Sequence, residues 1–187
     1  MIGIIDYGSG NIQAIRNIYK RLKVETLVVR KSEDLDKVNK IILPGVGAFD
    51  EAMSKLNDSG LRAALDHVVL DKCIPVIGIC VGMQIMAASS DEGVLSGLGW
   101  IKGTVKKFDV SNIVSCPKIP HMGWNEIDYK YHPIFNKIDD KFGFYFLHSY
   151  YFVAESDDLV IAISFYSHKF VCAVNVNNIF GIQFHPE

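Results

Sequence analysis

The chain has 187 residues, 49% of them hydrophobic and 21% charged, with a formal net charge of -2. That length suits a single compact domain with a sizeable core, here residues 1–187. The near-neutral balance leaves no basic surplus for nucleic acid, and no apolar run is long enough to span a bilayer.

The first half reads as alternating strand and helix. Ile2–Ile5 is a short apolar strand, ended by Asp6-Tyr7-Gly8-Ser9-Gly10. Residues 11–22 carry Ile12, Ile15, Ile18, Tyr19 and Leu22 at helical spacing. Thr26–Val29 and residues 40–43 read as the second and third strands, the third stopped by Pro44-Gly45-Val46-Gly47. Residues 50–56 and 61–70 look helical. Residues 75–79 form a fully apolar fourth strand, and residues 83–88 look helical again. This alternation implies βαβ units and a parallel sheet with its sites at the carboxyl ends of strands.

The second half is strand-rich. Residues 100–108, 145–153, 159–166, 170–176 and 179–184 have strand patterns, and Asn177-Asn178 reads as a hairpin turn. These antiparallel strands either extend the sheet or form a small second one.

The four cysteines, Cys73, Cys80, Cys116 and Cys172, show no CxxC pair and no metal-ligand spacing. Free thiols in a reducing cytoplasm are therefore expected, with neither metal nor cofactor. Met1-Ile2-Gly3-Ile4-Ile5-Asp6 does not look like a signal peptide.

Gly78-Ile79-Cys80-Val81-Gly82 carries the strongest chemical signal. It follows an apolar strand and precedes a helical pattern, as in a nucleophile elbow with cysteine in place of serine. A helix starting after Cys80 would aim N–H groups at the sulfur and favour the thiolate. A buried cysteine in a tight turn is the plain alternative. His185-Pro186-Glu187 follows the last strand. Residues two apart share a strand face, so Glu187 could orient the imidazole of His185 towards a nucleophile. A polar strand terminus is the alternative there. The order Cys, His, Glu differs from that of the α/β-hydrolases. In Pro44-Gly45-Val46-Gly47, approachable backbone N–H groups could stabilise an oxyanion, with the N–H of Val81 as a second donor. Neither this loop nor Gly8-Ser9-Gly10 completes a nucleotide-binding fingerprint.

These segments resemble the class I (triad) glutamine amidotransferases, and within them the glutaminase subunits of imidazole glycerol phosphate synthases. Asp6-Tyr7-Gly8-Ser9-Gly10-Asn11, Pro120-His121-Met122-Gly123-Trp124-Asn125 and Phe146-Leu147-His148-Ser149-Tyr150 extend the likeness along the chain. The resemblance implies an α/β, flavodoxin-like three-layer fold with a mixed, mostly parallel sheet and an added antiparallel region. It implies Cys80 as nucleophile, His185 as proton carrier and Glu187 as its orienter. It implies an oxyanion hole at Val46, Gly47 and Val81. Gly47, Gln84, Ser149 and Tyr150 match positions that hold L-glutamine. Met122, Trp124 and Tyr145 match the face towards a (β/α)8-barrel cyclase. For Met122, core packing is the alternative.

The family continues past His-Pro-Glu, so a short C-terminal tail is expected to be missing. Segments 91–100 and 145–152 also resemble a branch that feeds ammonia to a sugar amidotransferase. A catalytically silent regulatory subunit is a remote alternative. None of His67, His121, His132, His148 and His168 is assigned to catalysis.

Overall fold

The computed structural model describes residues 1–111, 118–138 and 141–186. In the first half β1 (Ile2–Ile5), α1 (Ile12–Arg21), β2 (Thr26–Val29), β3 (Lys40–Gly45), α2 (Phe49–Asp58), α3 (Arg62–Asp66), β4 (Val76–Cys80) and α4 (Val81–Gln84) follow one another. The second half contributes β5 (Ser89–Ser90), β6 (Gly103–Lys107), β7 (His121–Asn125), β8 (Asp128–Tyr129), β9 (Phe144–His148), β10 (Tyr150–Ala154), β11 (Val160–Tyr166), β12 (His168–Val176) and β13 (Ile179–Ile182).

Among the described residues, one 11-stranded sheet runs β2-β1-β3-β4-β13-β12-β10-β6-β5, with β11 added beside β12 and β8 beside β11. The pairs from β2 to β13 are all parallel. This is the flavodoxin-like order, with β13 as fifth strand. From β1 the chain moves outward to β2, and from β3 it moves the other way to β4. Right-handed crossovers therefore place α1 on one face of the sheet and α2 and α3 on the other. Buried aliphatics on both faces of β1, β3 and β4, including Ile4, Ile5, Ile41, Ile42, Leu43 and Val76, fill the layers between.

Local chemistry fixes the ends of these elements. Asn11 caps α1 by accepting from the N–H of Ala14 at 3.1 Å. The Ala48 side chain does not cap α2; Glu92 reaches across to accept from the N–H of Phe49 at 2.8 Å. Asn177, at φ 50°, makes the turn that pairs β12 antiparallel with β13.

The second half departs from its sequence pattern. The expected strand 145–153 is broken at Ser149, and its two parts join different sheets. β10 pairs with β6 in the main sheet, whereas β9 pairs with β7 in a separate two-stranded ribbon. The antiparallel strands thus do both things that their pattern allowed. The expected strand 100–108 begins only at Gly103, because the Trp100 indole is turned away to donate to Asp66 at 2.7 Å. Strand β7 carried no reading from the sequence.

Candidate active site

Strand β4 delivers Cys80 to its carboxyl end, beside Gly45 of β3. Cys80 sits at φ 55°, ψ -114°, a conformation that an L-residue adopts only when its surroundings enforce it. Close backbone packing does so. A Cβ on Gly78 would lie 2.6 Å from the Gly82 carbonyl oxygen, and one on Gly45 would lie 2.5 Å from the Gly82 nitrogen. A Cβ on Gly82 would overlap the Leu43 carbonyl. The glycines thus give room for α4 to lie against β3 and β4.

The helix after Cys80 is a correction. It is one turn, Val81–Gln84, rather than residues 83–88. The N–H groups of Ile85, Met86 and Ala87 close short turns, and that of Ala88 leaves to pair with Gly103. One turn carries little macrodipole. What remains for the sulfur is the first-turn N–H groups, which have no intrahelical acceptor; that of Val81 is among them.

One cleft of ≈ 300 Å³ brings together most of the residues marked in the sequence. Cys80, Val81, Gln84 and His185 line it, with Val46, Gly47, Ser149 and Tyr150. Its size is at the small end for ligand clefts and suits a compact polar substrate. Glu187 lies outside the described residues. His185 does not extend the last strand, which ends at Ile182; its N–H pairs instead with the Tyr145 carbonyl of β9 at 2.9 Å. Gln183, two residues earlier, still bonds to the Cys172 carbonyl of β12, but His185 has turned to β9 and Pro186 has no N–H to offer, so the ladder stops.

The loop after β1 clamps the loop after β3. Tyr7 donates to the Pro44 carbonyl at 2.8 Å, and its burial pushes the phenol pKa up, keeping it a neutral donor. The Ser9 hydroxyl accepts from the Val46 N–H at 3.0 Å and donates to the Val46 carbonyl at 2.9 Å. Gly10 makes the approach possible, since a Cβ there would be 2.6 Å from Pro44 Cβ. In this conformation the Val46 N–H is held by Ser9 and is turned away from any oxyanion.

Three arrangements in the site were not expected from the sequence. Glu92 lines the cleft with its carboxylate while capping α2. Gln183, buried next to Cys80, donates to the sulfur at 3.6 Å. His121 and His148 pair beneath the ribbon at 3.1 Å. His148 Nδ1 donates to the Tyr150 carbonyl at 2.8 Å, which leaves Nε2 to accept from His121 Nδ1. His121 Nε2 then accepts from Asn125. Burial pushes the His148 pKa down to about 3 and that of His121 to about 4, so both are neutral.

Ribbon β7–β9 alternates faces as strands do. His121, Phe146 and His148 point inward and are buried. Met122 and Trp124 point outward, 66% and 70% exposed, opposite Leu147 and Tyr145 in register. Trp124 and Tyr145 meet edge to face at 6.1 Å. Core packing therefore does not account for Met122. This apolar face abuts the cleft, because β9 also carries Leu147 and His148 into its wall.

Among the described residues no cluster of three His, Cys, Asp or Glu could hold a metal, and no helix is long and apolar enough to cross a membrane. Cys73, Cys80 and Cys172 are free thiols; Cys116 lies outside the described residues.

Fold and site define an α/β protein with a cysteine elbow at the head of a parallel sheet. Residues 3–187 match the family model for glutamine amidotransferase class-I. The imidazole glycerol phosphate synthase subunit HisH of Leptospira interrogans is 50% identical over 188 residues, covering 100% of this chain and 92% of its own. The subunit of the same name from Bdellovibrio bacteriovorus is also 50% identical, with the same coverage. A crystal structure of a glutamine amidotransferase superposes with TM-score 0.71 at 17% identity, covering 99% of this chain and 89% of that one. The chain belongs to the glutamine amidotransferase class-I family.

Proposed function

We propose that this chain is the glutaminase subunit of an imidazole glycerol phosphate synthase, acting in histidine biosynthesis. Residues 1–187 form its amidotransferase domain. The observation that carries the reading is the strained Cys80 elbow sharing one cleft with His185 and the Val46–Gly47 backbone. Half-identity to HisH subunits along the whole chain supports the pathway.

The chemistry follows from the site. Cys80 Sγ attacks the side-chain amide carbon of L-glutamine, and the carbonyl oxygen becomes an oxyanion. Backbone N–H groups at Val81 and at the Val46–Gly47 strand stabilise it. His185, oriented by Glu187, gives a proton to the departing ammonia. Water attacks the thioester, with His185 taking its proton, and glutamate leaves. Ser149 and Tyr150 hold the substrate from β9–β10. The Glu92 carboxylate is placed to hold its ammonium group. Replacing it, Glu92→Gln, keeps an oxygen for the α2 cap but removes the charge. KM for glutamine should rise about tenfold with kcat little changed; an unchanged KM removes Glu92 from the binding set.

Ammonia passes to a (β/α)8-barrel cyclase docked on Met122, Trp124 and Tyr145, on the ribbon whose Leu147 lines the cleft. The resting hold of Ser9 on Val46 means that the oxyanion strand must turn before catalysis, so activity awaits the partner. Free thiols suit a cytoplasmic setting, which cell fractionation checks.

Steady-state glutamate release tests the proposal. It should be slow alone and rise severalfold or more when the cyclase and its nucleotide ligand are added. Release stimulated only by a sugar amidotransferase would redirect the pathway. No release with either partner would overturn the glutaminase reading.

A further inference from the structure

We propose that Gln183 is a thiolate-stabilising residue whose side-chain amide N–H donates to Cys80 Sγ, and that Gln84 is the positioning residue that aims it. The inference rests on the reading of Cys80 as the nucleophile. Gln183 is 0% exposed, and its amide nitrogen lies 3.6 Å from the sulfur.

Which end of the Gln183 amide faces the sulfur follows from a group that cannot flip. The Tyr150 backbone carbonyl is an acceptor only, and β10 pairing holds it in place opposite Lys107. It receives Gln84 Nε2 at 3.0 Å and His148 Nδ1 at 2.8 Å. Gln84 must therefore present its NH2 group on that side. The same NH2 group lies 3.0 Å from the Gln183 oxygen, so the Gln183 oxygen points at Gln84 and its NH2 points at Cys80. Reversing the Gln84 amide would set two acceptors against each other, and reversing the Gln183 amide would set two donors against each other. The donor at the sulfur is thus dictated by a main-chain carbonyl two side chains away.

A donor is what this sulfur needs. Cys80 is 4% exposed, so little water can reach its sulfur to donate a hydrogen bond. In the thiol form Cys80 has a long S–H contact to the Leu147 carbonyl at 4.0 Å, which vanishes on ionisation. The Gln183 N–H bond persists and strengthens, because its acceptor has become an anion. Its effect is therefore larger on the thiolate than on the thiol. Gln84, by contrast, has its NH2 group engaged on both sides, so it acts on the substrate site through this arrangement.

The test is the pH profile of Cys80 alkylation by iodoacetamide in the full chain, with Gln183→Met as a variant of similar size without the donor. We expect the rate constant at neutral pH to fall about tenfold. The midpoint of the profile should rise by about one pH unit, and the two rates should converge at alkaline pH. Gln84→Leu frees the Gln183 amide to turn and should move the midpoint in the same direction by less. A profile that superimposes on the unmodified chain, or one lowered equally at every pH, overturns the proposal. In the unmodified chain the Gln183 side-chain NH2 proton resonances should titrate together with alkylation; resonances that do not move across that range overturn it without any variant. Alkylation of Cys80 that does not block glutamate release would instead remove the nucleophile reading itself.

Discussion

The parallel half and the antiparallel half of this molecule solve opposite problems. Strands β1, β3 and β4 bury aliphatic side chains and hold a strained cysteine by backbone packing alone. Ribbon β7–β9 buries two histidines and exposes a methionine and a tryptophan. The first arrangement holds fixed the cysteine proposed as nucleophile. The second leaves exposed the apolar face proposed for docking, anchored by polar groups underneath. The cleft lies where the two meet, so a change in either half should leave its own signature.

Gly82→Ala should break the parallel half most severely. Its Cβ would overlap the Leu43 carbonyl, and neither β3 nor α4 has room to yield. A loss of about 3 kcal/mol or more is expected, with the elbow displaced and glutamate release abolished. Urea unfolding measures the first and a coupled glutamate assay the second. Wild-type stability would show that the elbow is looser than its geometry.

The histidine pair gives the ribbon half a pH signature. His148 and His121 have pKa values of about 3 and about 4, below their ordinary 6.5. As pH falls, the unfolded chain takes up these protons first. Stability is therefore full above about pH 6.5 and declines as pH drops towards about 4. The expected loss is about 2 kcal/mol per histidine between pH 7 and pH 5. Urea midpoints at the two pH values check this. A His121→Phe variant, even if less stable at pH 7, should show a shallower decline. An unchanged slope would contradict a buried neutral pair.

On the outer face of the same ribbon the expectation is reversed. Trp124→Ala should alter stability by less than about 0.5 kcal/mol, yet weaken cyclase binding about tenfold or more. Calorimetric titration of the two subunits reads the effect. Equal binding would move the docking surface elsewhere.

The smallest effect concerns the seam between β1 and β3. Removing the Ser9 hydroxyl, Ser9→Ala, frees the Val46 peptide and should raise glutamate release by the isolated subunit severalfold, the worth of one or two hydrogen bonds. An unaltered or lower rate would mean that Ser9 does not restrain the strand.

How much of this was legible in the sequence differs between the halves for a physical reason. Strands β1 to β4 and their helices announce themselves through local periodicity, and the Gly-x-Cys-x-Gly elbow is local too. The break at Ser149 is invisible in a continuous apolar run, because β9 and β10 are separated by their partners, β7 and β6, and not by their own residues. Glu92 was hidden for a similar reason, since its cap on Phe49 spans 43 positions. Gln183 lies two residues before the His185-Pro186-Glu187 motif, yet only the Tyr150 carbonyl shows which atom it offers Cys80. The one-turn α4 failed the other way, as a helical pattern overruled by pairing with Gly103.

Cys80 is proposed to carry the acyl group of glutamine. Mass spectrometry of the full chain, quenched in acid during turnover with the cyclase and its ligand, tests it most directly. A glutamyl thioester is expected on the Cys80 peptide and not in Cys80→Ala, whose glutamate release falls at least about 10³-fold. Undiminished turnover by Cys80→Ala, or an acyl group carried on another residue, would contradict it.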